Sequence, residues 1–172
     1  IRYNTFVGNT ATSSTAAVYS GAYANVYHNT AIGNTAPSYT FYITNRQSYF
    51  GANVSAGNKI VSGNADIYLS STTNSGYNIF QGNASHSMTG ATDLILLLKD
   101  MPEVFEGSAD LTNNLFTPTM YQVDGKVTSV VKPKNTFLAK TVLQRVPLTN
   151  LSVIGTKGMG DVYIDQNEDT IN

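Results

Sequence analysis

Short apolar segments closed by a polar corner recur through the first half of the chain. Asn4-Thr5-Phe6-Val7-Gly8-Asn9-Thr10-Ala11 returns as Asn29-Thr30-Ala31-Ile32-Gly33-Asn34-Thr35-Ala36. A third copy reads Asn58-Lys59-Ile60-Val61-Ser62-Gly63-Asn64-Ala65, and a fourth Asn78-Ile79-Phe80-Gln81-Gly82-Asn83-Ala84. The closing Gly-Asn pairs lie 25, 30 and 19 residues apart. A unit of that length cannot bury its inward face alone, but stacked units can. Successive rungs then hydrogen-bond along the stack, about 4.8 Å apart.

The repeat therefore predicts an all-β parallel β-helix, a solenoid of stacked coils. Phe6, Ala31, Ile60 and Phe80 are expected as one inward column, and Asn9, Asn34, Asn64 and Asn83 as an asparagine ladder at a corner. Asparagine suits a corner because its amide can bond the copies above and below, and it tolerates left-handed backbone. Glycine before it permits the bend. The uneven spacing fits loops that bulge from one corner without disturbing the stack. A β-sandwich with regular turns is the rival architecture.

Helix is disfavoured over residues 1–90, where 44 positions are Asn, Thr, Ser or Gly. Ala91 to Lys99 can form one short helix or a strand. Met120 to Val130 reads as a hairpin with Asp124-Gly125 at its turn. Leu148 to Ile154 reads as a further strand. Charge then divides the chain. Residues 99–172 carry nine of the eleven acids and seven of the ten bases. We expect regular coils over 1–98, and over 99–172 less regular final coils with a C-terminal cap of the same domain. The chain begins at Ile1 rather than Met, the mark expected of a piece of a longer precursor.

Composition narrows the function classes. Asn, Thr, Ser and Gly make up 68 of 172 residues, and only 12% are charged. A net charge of −1 gives no pull toward nucleic acid. The absence of cysteine excludes disulfides and thiolate metal sites. No apolar run approaches the roughly 18 residues of a membrane span.

These coils resemble the right-handed parallel β-helix of the pectate-lyase-like class. The nearer likeness is to bacterial secreted and cell-surface β-helix proteins, including the polymorphic outer-membrane and choice-of-anchor groups. Asn4 to Asn9 is similar to their Asn-Thr-Phe-x-x-Asn coil, and Ser75-Gly76-Tyr77-Asn78-Ile79-Phe80 to their late Gly-Tyr-Asn-Leu coil. Thr92-Asp93, Asn114-Leu115-Phe116, Asp124-Gly125-Lys126-Val127 and Lys132-Pro133-Lys134-Asn135 resemble segments that follow it. Asp161 to Gln166 is similar to their acidic close. The resemblance implies an extracellular or bacterial cell-surface (outer-membrane) location. It also implies that the chain holds the last coils, with an open coil edge at Ile1 where further N-terminal coils of the same protein, or another protein chain, could stack.

Catalytic chemistry has little to stand on in the repeat. A polysaccharide lyase needs a base and a cation, and a glycoside hydrolase needs clustered carboxylates. Residues 1–90 supply only Arg2, Arg46, Lys59 and Asp66 as charged side chains. His28 and His86 sit in no metal-ligand spacing. Asp165, Asn167 and Asp169 imitate the start of a calcium loop, but Thr170 stands where that loop needs glycine. No cofactor is expected, with calcium there the one candidate. Tyrosine is the richer signal, since nine of eleven precede residue 78. Tyr39, Tyr42, Arg46 and Tyr49 fall in the longest inter-repeat segment and are the candidate ligand-binding residues. Tyrosine with neighbouring asparagine suits sugar rings and their hydroxyls. The expected role is a non-catalytic structural or adhesive surface segment that contacts glycans. The alternatives are a fragment of a polysaccharide lyase or hydrolase and a subunit of a larger surface assembly.

Overall fold

Strands one coil apart pair in parallel, so the chain forms a parallel β-solenoid of about three turns rather than a sandwich. The computed structural model describes residues 1–2, 4–62, 65–81, 85–86, 92–119, 121–123, 126–128, 131, 133–134, 136–138, 163–164 and 170–171. The first coil holds β1 (Thr5–Val7), β2 (Thr15–Ser20) and β3 (Asn25–Tyr27). The second holds β4 (Thr30–Ile32), β5 (Thr35–Ala36), β6 (Tyr39–Ile43) and β7 (Tyr49–Gly51). The third holds β8 (Val54–Ala56), β9 (Lys59–Ile60), β10 (Ala65–Leu69) and β11 (Thr73–Gly76). The stack continues with β12 (Ile79–Gln81), β13 (Ser85–His86) and β14 (Leu94–Leu96). Three main sheets run along it, ordered β1-β4-β8-β12-β14, β2-β6-β10-β13 and β3-β7-β11, with a short pair β5-β9.

Two asparagine ladders set the register. In the first, the backbone N–H and the side-chain amide of Asn4 both donate to Asn29 Oδ1, at 3.1 and 3.0 Å. Asn29 does the same to Asn53, Asn53 to Asn78, and Asn78 to Asp93. In the second ladder Asn9 donates to Asn34, Asn34 to Asn58, and Asn58 to Gln81. Each step is 23–25 residues except the last of the first ladder, so the coil perimeter is nearly constant.

This register corrects part of the sequence pattern. The third copy is Asn53-Val54-Ser55-Ala56-Gly57-Asn58, not the segment that opens at Asn58. The inward column is Phe6, Ala31, Ser55 and Phe80. Ile60 instead pairs with Ala36 in the short sheet. Parallel pairing demands equal perimeters, and Gly57-Asn58, 24 residues after Gly33-Asn34, meets that demand, whereas the 30-residue interval to Gly63-Asn64 does not. The repeated signal is two asparagines five residues apart. Asn9 and Asn34 hold ladder positions, and Asn58 and Gln81 follow them; Asn64 and Asn83 lie outside the described residues.

Both ladders sit behind left-handed corners. Gly8, Gly33 and Gly57 precede Asn9, Asn34 and Asn58 at φ of 65°, 70° and 63°. His28, Ala52 and Tyr77 take the same conformation before Asn29, Asn53 and Asn78. Ser71 is left-handed too, at φ 58°, in an exposed turn between β10 and β11. With no buried side chain to lose, Ser71→Gly should raise the unfolding free energy by about 0.5–1 kcal/mol. Urea unfolding of the two proteins checks this, and a lower midpoint for the glycine variant would count against a left-handed Ser71.

The core has two parts. Val18, Val26, Ala31, Phe41, Ile43, Phe50, Ile67, Leu69 and Phe80 fill the solenoid interior. The outer face of the five-stranded sheet is apolar as well, and is covered by the chain that follows it. After β14 come a 3₁₀ turn (Leu98–Asp100), α1 (Met101–Val104) and the antiparallel pair β15 (Gly107–Asp110) and β16 (Leu115–Pro118). Ile32, Ala56, Ile79 and Leu96 of the sheet share one buried cluster with Leu98, Met101, Val104, Phe105 and Phe116. The described part of this segment thus packs along the flank of the solenoid. Asp110 closes its hairpin by accepting bonds from the Thr112 and Asn113 backbone and the Asn113 side chain.

Further along, β17 (Tyr121–Val123) and β18 (Lys126–Thr128) form the expected antiparallel hairpin, and β19 (Tyr163–Ile164) pairs with β20 (Thr170–Ile171). Within the Ala91 to Lys99 segment the described residues hold a strand, Leu94–Leu96, followed by the start of the 3₁₀ turn. The expected strand at Leu148 to Ile154 lies outside the described residues. Among the described residues no helix is long and apolar enough to cross a membrane.

Candidate functional site

Alternation along a strand sends neighbouring side chains to opposite faces, so register decides which of them stack. On β2, β6 and β10 the residues Val18, Phe41 and Ile67 are buried in the interior. Tyr19, Tyr42 and Tyr68, one position on, pair in register on the outer face. Their rings form a column. Tyr19 and Tyr42 lie 5.0 Å apart and 2° from parallel, and Tyr42 and Tyr68 lie 5.0 Å apart and 13° from parallel. Tyr39 flanks the column at 5.1 Å from Tyr42 and 5.4 Å from Tyr68.

Tyr39 joins this face because Thr40 and Phe41 are both buried, which breaks strict alternation on β6. The pairing with β2 shifts register between Thr15 and Val18, the sign of a bulge. The column is neutral and polar-tipped. Burial, followed by the nearby phenols of Tyr68, Tyr19 and Tyr39, pushes the Tyr42 hydroxyl above its ordinary value and keeps it a donor. Because the rings face one another, what they offer outward is edges and hydroxyls. Tyr19, at the end of the column, also exposes ring surface and is 65% exposed.

The structure therefore brings together two of the four candidate residues. Tyr49 lies in β7 of a different sheet, opposite Asn25 and Thr73. Arg46 is exposed in the turn between β6 and β7. Tyr19 and Tyr68 belong to the site, although local sequence density does not single them out. Both lie about one coil from Tyr42, so alignment on the coil perimeter is the signal that finds them.

The charged side chains of the coils stand in separate surroundings. The Arg2 guanidinium lies over the Tyr27 ring at 5.5 Å, and Lys59 Nζ donates to Asn113 Oδ1 at 3.4 Å. Asp66 is buried in the solenoid, beside Thr40, Ser55 and Asn58. Among the described residues no group of three His, Cys, Asp or Glu side chains gathers to hold a metal ion. The calcium candidates Asp165, Asn167 and Asp169 lie outside the described residues.

No protein-family model matches the chain, and no curated protein or solved structure matches it either.

Proposed function

We propose that the chain is a non-catalytic structural or adhesive segment of a secreted or cell-surface protein, and that it contacts neutral glycans through the Tyr19–Tyr42–Tyr68 column and Tyr39. The observation that supports this reading is the column itself: four tyrosines gathered on one outward sheet face. Phenol hydroxyls both donate and accept, and ring edges and faces meet the C–H surface of sugars. An uncharged surface of this kind suits a hydroxylated neutral ligand better than a phosphate or uronate, which calls for cations.

A panel of immobilised cell-surface and plant polysaccharides tests the reading. The wild-type chain should bind at least one neutral glycan. Tyr19→Ala should weaken that binding about tenfold, a loss typical of one exposed aromatic anchor. Tyr49→Ala, on the other sheet, should leave it unchanged. Binding to none of the panel, or equal loss from both variants, would remove glycan contact from the proposal.

A further inference from the structure

The tyrosine column sets identical phenols on successive coils. Tyr19, Tyr42 and Tyr68 pair in register on β2, β6 and β10. Neighbouring strands lie about 4.8 Å apart. Both stacked pairs have their ring centroids 5.0 Å apart, so ring follows ring at the pitch of the backbone. Planes 2° and 13° from parallel bring the ring edges of one tyrosine alongside those of the next. An ortho carbon of one ring then meets its counterpart by a pivot of the side chains, with the coils left in place. Tyr42 and Tyr68 are only half-buried, so their outer edges are open to a reagent in solution.

Composition sharpens what such phenols do under oxidation. The chain has neither cysteine nor tryptophan, the side chains that most readily exchange a radical with tyrosine. An oxidised tyrosine here therefore has no such side chain to pass its radical to. The missing cysteines also leave the coils without a disulfide to tie one to the next.

We propose that the column is a site of oxidative cross-linking, at which Tyr42 forms a dityrosine bond with Tyr19 or Tyr68 and so joins successive coils covalently. The co-reactant is hydrogen peroxide, used through a haem peroxidase. Each of two phenols gives up one electron and one proton, and the two phenoxyl radicals join ortho carbon to ortho carbon. The hydrogens on those carbons leave as protons and return to the phenol oxygens. One C–C bond forms and two C–H bonds break, while the peroxide takes up two electrons and two protons and becomes two waters. Radicals on separate molecules must meet by diffusion, whereas here the partner ring is already held alongside. The joined residues are 23 or 26 positions apart, so the bond closes a loop of one coil, as a disulfide would. The inference rests on the ring geometry and stands whether or not the face binds glycan.

The test treats the full chain with a haem peroxidase and hydrogen peroxide, reads dityrosine by its fluorescence, and maps the links by mass spectrometry of proteolytic peptides. The product should run as a monomer on a denaturing gel, with Tyr42 linked to Tyr19 or to Tyr68. Its unfolding temperature should rise by about 5 °C or more. Tyr42→Phe keeps the ring but not the phenol, and should lower the dityrosine yield about tenfold or more and abolish the rise. Tyr49→Phe should leave both unchanged, because its register partners are Asn25 and Thr73. The same treatment in urea should scatter the links over other tyrosines. Links mapped chiefly outside the column, equal yields from the two variants, or an unchanged map in urea would overturn the inference. So would a product cross-linked only between chains.

Discussion

Replacing Gly57 with alanine should lower the unfolding free energy by about 3 kcal/mol or more. Gly57 stands at φ 63°, where any other L-residue except asparagine or aspartate is strained by about 1–2 kcal/mol. Lack of space costs more than this strain. An added Cβ would run into Phe116 Cβ and lie 2.7 Å from Met101 Sδ. Met101 can move its thioether, but Phe116 is held, because its backbone N–H donates to Gly57 O at 2.8 Å. The methyl therefore has to push β16 away from the coil and open the cluster around Phe116. Gly8 is the matched control. It holds the same position one coil before Gly33, with φ 65° and nothing within 4 Å of the added Cβ. Gly8→Ala should cost only the backbone strain, about 1–2 kcal/mol. Urea unfolding of the two variants measures the difference. Equal losses would mean that β16 does not rest on the Gly57 corner.

Asp66→Asn should stabilise the protein at pH 8 by roughly 3 kcal/mol and have far less effect below pH 4. Asp66 lies inside the solenoid at 0% exposure, with Thr40, Ser55 and Asn58 also at 0% around it. Desolvation raises its carboxyl from 3.8 to about 6, against hydrogen bonding from Ser55, Thr40 and Asn58 that pulls it down. That bonding is weak. Asn58 Nδ2 reaches Oδ1 at 3.5 Å, while Asp66 Oδ2 and Thr40 Oγ1 both lack a partner within bonding geometry.

The sign follows from the raised value. The folded state holds the proton more tightly than the unfolded chain, so the neutral carboxyl contributes its full stability below about pH 3.8. That stability is lost as pH rises through about 6. Asparagine has no charge to desolvate, and its amide can donate to Thr40 Oγ1. Unfolding midpoints of both proteins at pH 4 and pH 8, taken as a double difference, cancel the other carboxylates. Among these is exposed Asp110, which the Asn113 side chain holds below its ordinary value and which works in the opposite direction. A variant less stable than wild type at pH 8 would show that the interior does not penalise the charge.

These residues also show what can be read from a one-dimensional pattern. Asn4 to Asn9 and Asn29 to Asn34 announce a coil, because a ladder needs the same side chain at the same place in every turn. Ser55 hides it in the third copy, since a polar residue in the inward column breaks the apolar lead-in that marks the other copies. Taking Gly63-Asn64 rather than Gly57-Asn58 as the third corner therefore sets the third coil five residues late and draws Ile60 inward. The tyrosine site is similar. Tyr39 and Tyr42 stand out by local density, but their partners Tyr19 and Tyr68 are a coil away and become neighbours only through register. Tyr49 is close in sequence and belongs to another sheet, because the chain turns a corner at Arg46.

By itself the sequence determined the class of fold. Asparagine and glycine at a near-constant interval have low helix propensity and a stacking chemistry, and together these select parallel coils. It also determined that the coils are poor in charge. Tertiary structure decided the rest: the true perimeter, the ring column, the buried carboxyl and the flank on which Phe116 packs. The physical reason is that stacking couples residues 23–25 positions apart through the hydrogen bonds of the side-chain ladders. A shift of a few residues in that coupling leaves composition and local pattern unchanged. It does change which side chains touch.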